Sequence, residues 1–154
     1  MANTPESVLL LWKRLEDRKI LVLPEVWQAW EAGCIRHLDE IGGIVKQNNG
    51  CAIPVVDAEA IGKRAEILQK FVRGIKKSPD GISRVDEDEI FLEETARELT
   101  AHYLGNDIYK IALMADVYGP DPEPLPAENG PLICANISAI KEFIERLKNL
   151  TRQA

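Results

Sequence analysis

Histidine and cysteine are scarce in this sequence of 154 residues, which has two histidines and three cysteines. Cys34, Cys51 and Cys134 are odd in number, widely spaced and form no Cys-x-x-Cys pair. This spacing argues against a structural zinc site built from close ligand pairs and against a disulfide framework. Unpaired cysteines suit a reducing compartment, so we expect a cytoplasmic protein.

Several motifs of common enzyme classes are also missing. The chain has no glycine-rich phosphate loop, no Gly-x-Ser-x-Gly elbow and no Glu-x-x-His pair. The apolar run Val8–Trp12 is far shorter than the ~20 residues that span a membrane. The segment Met1–Leu11 also lacks the features of a secretory signal. We therefore expect a non-enzymatic role, without a cofactor and without membrane association.

Negative charge is in excess, but it is unevenly distributed. The 19 Lys and Arg residues against 25 Asp and Glu residues give a net charge of −6, which makes nucleic-acid binding an unfavoured function. Residues 63–77 nevertheless carry six bases and one acid, whereas residues 86–98 carry seven acids and one base. The charge pattern therefore indicates one basic and one acidic segment, separated by the turn at Pro79–Gly81.

Apolar residues recur at helical spacing through most of the chain. The clearest stripe belongs to a helix from Pro24 to about Gln47, and its members follow one another at spacings of three or four: Trp27, Trp30, Cys34, Leu38, Ile41 and Val45. No convincing alternating strand is present. The pattern predicts one all-α domain over residues 1–154, a bundle of five to six amphipathic helices.

The predicted helix boundaries rest on capping and turn residues. Asp86 and Glu89 fit a capping box that opens a helix, and Gly105 fits a C-terminal cap followed by a new helix from Asn106. Alternate prolines predict an extended loop over residues 119–135. The last helix is then expected over residues 136–152.

A basic ridge is the best single candidate for a recognition surface. Offsets of 0, 7, 10 and 14 place four cations along one side of the predicted third helix: Lys63, Lys70, Arg73 and Lys77. Such a ridge can receive an acidic protein partner or phosphate groups. The competing interpretation is a solvated face whose cations complement the helix dipole.

Each histidine has neighbours that could ligate a metal. Cys34 and His37 are three residues apart on one helix. Glu94, Glu98 and His102 recur at a spacing of four, which stacks them on one helical face as metal ligands or an acid/base pair. The simpler alternatives are a packed cysteine beside a hydrogen-bonded histidine, and a solvated helix edge.

The most favoured function is that of a cytoplasmic regulatory or adaptor module acting through protein–protein contacts as a homo-oligomer. Residues Val8–Trp12 are apolar nearly all round their helix, more than one core-facing stripe requires. An alternative is a small-molecule- or metal-binding helical bundle, with or without enzymatic activity, using His102 with Glu98 or Cys34 with His37. A third is a DNA-binding regulator, because Ala101, Gly105 and Ile111 match the spacing of a helix-turn-helix.

Overall fold

Helices make up most of the chain in a computed structural model that describes residues 6–18 and 20–153. A single π-helical turn, Glu31–Ile35, joins the second helix to the third without a break. The six α-helices are α1 (Glu6–Arg18), α2 (Pro24–Trp30), α3 (Arg36–Gln47), α4 (Val55–Arg73), α5 (Glu94–Met114) and α6 (Asn129–Leu150). The predicted predominance of helix is therefore confirmed.

The expectation of a purely α-helical chain is wrong, because short strands connect α4 to α5. Strands β2 (Lys76–Lys77), β3 (Arg84–Asp86) and β4 (Glu89–Leu92) form a sheet in which β4 lies in the middle. Strand β4 is parallel to β2 and antiparallel to β3. A second pair, β1 (Leu21–Val22) with β5 (Arg152–Gln153), is parallel. Strands this short cannot display the alternation by which a strand is recognised in a sequence.

The acidic segment predicted to open a helix is instead the turn of a β-hairpin. Asp86 and Glu89 are paired across β3 and β4, and the two residues between them have positive φ angles. A spacing of three suits both a capping box and a two-residue hairpin turn, so it did not distinguish them. Helix α5 begins at Glu94, where the Glu93 carboxylate accepts a hydrogen bond from the backbone N–H of Thr95 at 2.8 Å.

Two further boundaries differ from the prediction. Helix α5 continues unbroken through Gly105, so the turn required for a helix-turn-helix is not formed. Helix α6 begins at Asn129 rather than Asn136, and the predicted loop over residues 119–135 is correspondingly shorter. Pro131 is tolerated because it lies in the first turn of α6, where its missing N–H has no helical acceptor.

Helix α5 lies between α4 and α6 and also contacts α1. Near its middle, Tyr103 accepts a hydrogen bond from the Trp12 indole N–H at 2.8 Å and stacks on Phe143, with the ring centroids 4.8 Å apart. Helices α4 and α5 are antiparallel, since Val72 at the end of α4 and Ala101 near the start of α5 line the same small pocket. The C-terminal end of α5 therefore lies beside the N-terminal half of α4.

Candidate functional site

Cys34 is fully buried in the π turn and is a poor candidate for a metal ligand. Burial raises the pKa of its thiol to about 12, because the charged thiolate is not solvated there. Within the described residues, Cys34 also belongs to no group of three His, Cys, Asp or Glu side chains that could hold a metal ion. Its packing is that of a small buried apolar side chain.

His37 is buried and hydrogen-bonded to α4. Its Nδ1 atom lies 3.1 Å from a guanidinium nitrogen of Arg64, and Arg64 is also 2.5 Å from the carboxylate of Glu40. Because a guanidinium can only donate, Nδ1 is the acceptor and the ring is neutral. Burial, followed by the positive charges of Arg64 and Arg36, lowers the pKa of His37. These contacts make His37 a structural link between α3 and α4.

The two carboxylates and the histidine of α5 each have a different environment. Glu94 lies 3.5 Å from the Nζ atom of Lys77, and Glu98 lines a small pocket with Arg97. The His102 ring meets Tyr103 edge-on, with the centroids 5.0 Å apart. Within residues 6–18 and 20–153, no three side chains of His, Cys, Asp or Glu are arranged to share a metal ion.

The basic ridge is shorter than its sequence spacing suggested. Helix α4 ends at Arg73, so Lys77 lies in β2 and its placement on the same helical face is wrong. Gly74 follows the helix, and the chain then turns into the sheet. Lys63, Lys70 and Arg73 remain on one side of α4, and all three line a surface groove of about 670 Å³.

The groove runs along α4 beside the C-terminal end of α5. Its α4 wall extends from Ala58 to Arg73, about 22 Å at the helical rise of ~1.5 Å per residue. Residues from the end of α5 and the segment after it form the other wall: Ala112, Ala115, Asp116 and Val117. Lys70 lies 3.8 Å from Glu66. Across the described part of the chain, Lys63 and Arg73 form no ion pair.

Four large apolar side chains are exposed on the elements that form this groove, close in sequence to its lining residues, although none of the four lines the groove itself. Ile67 is 44% exposed on α4, one turn from Lys63. On α5, Leu113 is 50% exposed and follows the groove residue Ala112, while Tyr109 is exposed one turn earlier. Tyr118 is 72% exposed just after the groove residue Val117. We call these four residues, together with Lys63, Lys70 and Arg73, the groove surface.

A second pocket, which the sequence did not indicate, lies between the π turn and α6. It has a volume of about 480 Å³. Its lining includes Trp27, Trp30 and Ile35 on one side and Lys141, Ile144 and Lys148 on the other; we call it the tryptophan pocket. Both tryptophans belong to the apolar stripe whose helical spacing predicts a core position, and both are buried. The only sequence feature that could have indicated this pocket is the pair of tryptophans three residues apart.

Comparison with known proteins adds no family to this description. No family model, no curated protein and no solved structure matches the chain. Of the helices in the described residues, none combines the length and the apolar character needed to cross a membrane. The surfaces of the molecule are therefore the basis for its proposed function.

Proposed function

We propose that the protein acts through protein–protein contacts and that the groove surface binds an amphipathic helix of an acidic partner protein. The observation that carries this proposal is the combination of exposed apolar side chains with two cations, Lys63 and Arg73, that have no ion pair in the described residues. An exposed apolar patch beside unpaired charge is typical of an interaction surface.

The dimensions of the groove suit a helix. The α4 wall, about 22 Å long, corresponds to roughly 15 helical residues, or four turns, while the opposite wall spans only residues 112–117. Ala112 and Ala115 have short side chains and leave room for the apolar side chains of an incoming helix. A helix bound in this way presents apolar residues at positions i, i+3 or i+4, and i+7.

The distribution of charge along the groove predicts where the acidic residues of the bound helix lie. Lys70 and Arg73 lie at the C-terminal end of α4, whereas Glu59 lies near its N-terminal end. Because α4 and α5 are antiparallel, Asp116 after α5 lies toward the same end as Glu59. Acidic residues of the partner helix are therefore expected to face Lys70 and Arg73, away from Glu59 and Asp116.

Selection from a displayed library of random peptides of about 16 residues tests the proposal. We expect peptides with helical apolar spacing and acidic flanks to be enriched on the wild-type protein. The triple variant Lys63→Glu, Lys70→Glu and Arg73→Glu should bind these peptides at least about tenfold more weakly, because like charges would then face each other.

A matched triple variant controls for the change in net charge. Lys13→Glu, Arg14→Glu and Lys46→Glu reverse three exposed charges that lie outside the groove surface, and this variant should retain full binding. The proposal fails if no peptide is enriched on the wild type. It also fails if the two triple variants bind the selected peptides equally well.

The start of α1 supports homo-oligomerisation as a second proposal. Val8, Trp12 and Leu15 of α1 are buried, yet Leu9 is 55% exposed and Leu10 is 59% exposed. A second copy of the chain would cover this apolar surplus. Native mass spectrometry should show a dimer that Leu9→Glu with Leu10→Glu converts to a monomer. A wild-type monomer at micromolar concentration would contradict this proposal and leave the groove proposal untouched.

A further inference from the structure

We propose that Cys51 and Cys134 are a redox-sensitive pair that closes to a reversible disulfide on exposure to hydrogen peroxide. The two free thiols are 83 residues apart in the sequence, yet both line one small cavity of about 160 Å³. This cavity, which we call the thiol pocket, lies between the end of α3, the connection to α4 and the start of α6. None of its lining residues lines the groove on α4, so the proposal is independent of the proposed function.

Helix α6 places Cys134 beside the end of α3. Gly130, Cys134 and Ile137 follow one another at spacings of four and three, so they lie on one face of α6. This face packs on α3, since a Cβ atom at Gly130 would lie 3.1 Å from the Cγ1 atom of Val45. Further along, a Cβ atom at Gly42 would lie 3.9 Å from the Cδ1 atom of Ile137. Cys134 is therefore half-buried on the side of α6 that faces α3.

The chain that carries Cys51 is held close to the start of α6. Just after Cys51, Ile53 and Leu125 form an isolated antiparallel bridge with N–H···O distances of 3.0 and 2.9 Å. Leu125 lies four residues before α6 begins at Asn129. Cys51 itself is exposed and follows a turn in which Gly50 has a φ angle of +78°. The fold thus brings an exposed thiol and a half-buried thiol to the same pocket.

The difference in exposure gives the two thiols different roles. Cys51 is reached by solvent and is oxidised first: its thiolate attacks one peroxide oxygen, the O–O bond breaks, and a sulfenic acid and one water result. The Cys134 thiolate then attacks the Cys51 sulfur, the S–S bond forms, the S–O bond breaks, and the oxygen leaves as a second water. Two thiols and one hydrogen peroxide therefore give one disulfide and two waters, and a thiol reductant reverses the closure.

Peptide-resolved mass spectrometry of the full chain tests the pair. After treatment with hydrogen peroxide at neutral pH, the protein should lose the mass of two hydrogen atoms. Digestion without reduction should then yield one linked peptide that contains Cys51 and Cys134, and dithiothreitol should restore the original mass. Cys34 is the internal reference, because it is fully buried outside the thiol pocket and should stay reduced.

Matched variants separate the two roles. Cys134→Ser should accumulate sulfenic acid on Cys51, with labelling by dimedone at least about tenfold above the wild type, because the resolving thiol is gone. Cys51→Ser should form no linked peptide, whereas Cys34→Ser should form it as the wild type does. The proposal is overturned if Cys51 of the wild type stays reduced or is oxidised without the link. A disulfide that involves Cys34, or one that joins two chains, would overturn it as well.

Discussion

The two faces of α4 differ in how completely the molecule uses them. On one face, Phe71 packs edge-on against Trp30 with the centroids 6.1 Å apart, and Arg64 is bonded to His37 and Glu40. On the other face, Lys63 and Arg73 line an open groove, and Ile67 is exposed one turn from Lys63. We call these the closed face and the open face of α4.

The difference between the two faces distinguishes residues that stabilise the fold from residues that remain free to bind a partner. On the closed face, Arg64 is paired with Glu40 and the partly buried Phe71 ring packs on Trp30, so contacts within the chain account for these residues. The open face carries exposed apolar groups and two cations, Lys63 and Arg73, that form no ion pair in the described part of the chain. Changes to the closed face should therefore alter stability, and changes to the open face should alter binding alone.

The largest expected difference concerns thiol reactivity beneath the closed face. Cys34 lies in the π turn that contacts α4, is fully buried and has a pKa raised to about 12, whereas Cys51 is exposed. Labelling of Cys34 by a thiol reagent at pH 7 requires the structure to open, at a cost of at least ~5 kcal/mol for global unfolding. We expect Cys51 to react more than ~1,000-fold faster in peptide-resolved mass spectrometry. Comparable rates in native buffer would show that the closed face opens readily.

Among the substitutions proposed for the closed face, the addition of a methyl group at Gly33 should lower the free energy of unfolding most. A Cβ atom there would lie 2.6 Å from the Phe71 ring, so Gly33→Ala should lower the free energy of unfolding by about 1–3 kcal/mol. Gly43→Ala in α3 is the control, because its Cβ meets nothing within 4 Å and should stabilise by about 0.5–1 kcal/mol. Urea denaturation measures both. Phe71→Ala in the Gly33→Ala background should cost less than in the wild type, and strict additivity would mean that the two residues do not interact.

The sequence predicted the helical face of α2 and α3 well, because the apolar stripe there is long and regular. Trp27, Trp30, Cys34, Leu38 and Ile41 are buried as expected, and Val45, the last member of the stripe, is half-buried. It failed between α4 and α5, where the strands have only two to four residues and the hairpin turn has acidic residues that also suit a helix start. Local patterns of that length are ambiguous until tertiary contacts decide between them.

The candidate sites were predicted less completely than the helices. Three of the four cations of the basic ridge lie together because they share one helix, and Lys77 does not because the helix ends first. The tryptophan pocket depends on a π turn, which changes the phase of the helix without a sequence signal that we could identify. It also depends on α6, whose position relative to Trp27 is set by long-range packing.

A pH-dependent loss of stability should come from the closed face through His37. Burial and the charges of Arg64 and Arg36 lower the pKa of His37 in the folded protein below its ordinary value of 6.5. As the pH falls through 6.5, the unfolded chain therefore takes up a proton at this site that the folded chain does not, and the free energy of unfolding decreases. The decrease ends below the folded pKa. Urea denaturation between pH 7.5 and pH 5 should show a smaller decrease for His37→Gln than for His102→Gln, and equal decreases would contradict this role of His37.

The smallest effect on stability is expected at the open face, where the triple variant Lys63→Ala, Lys70→Ala and Arg73→Ala should change the free energy of unfolding by no more than about 1 kcal/mol. The ion pair of Lys70 with Glu66 is exposed at 3.8 Å, and exposed pairs at this spacing contribute only ~0.3–0.5 kcal/mol. Loss of the dipole interaction at the end of α4 is offset in part by the high helix propensity of alanine.

The same variant should lose binding of the selected acidic peptides, measured by fluorescence anisotropy at two salt concentrations. If stability falls by more than ~1 kcal/mol, these cations serve folding, and the distinction between the two faces of α4 disappears. If stability is kept and peptide binding is also kept, the groove recognises apolar shape alone, and the acidic character of the partner is wrong.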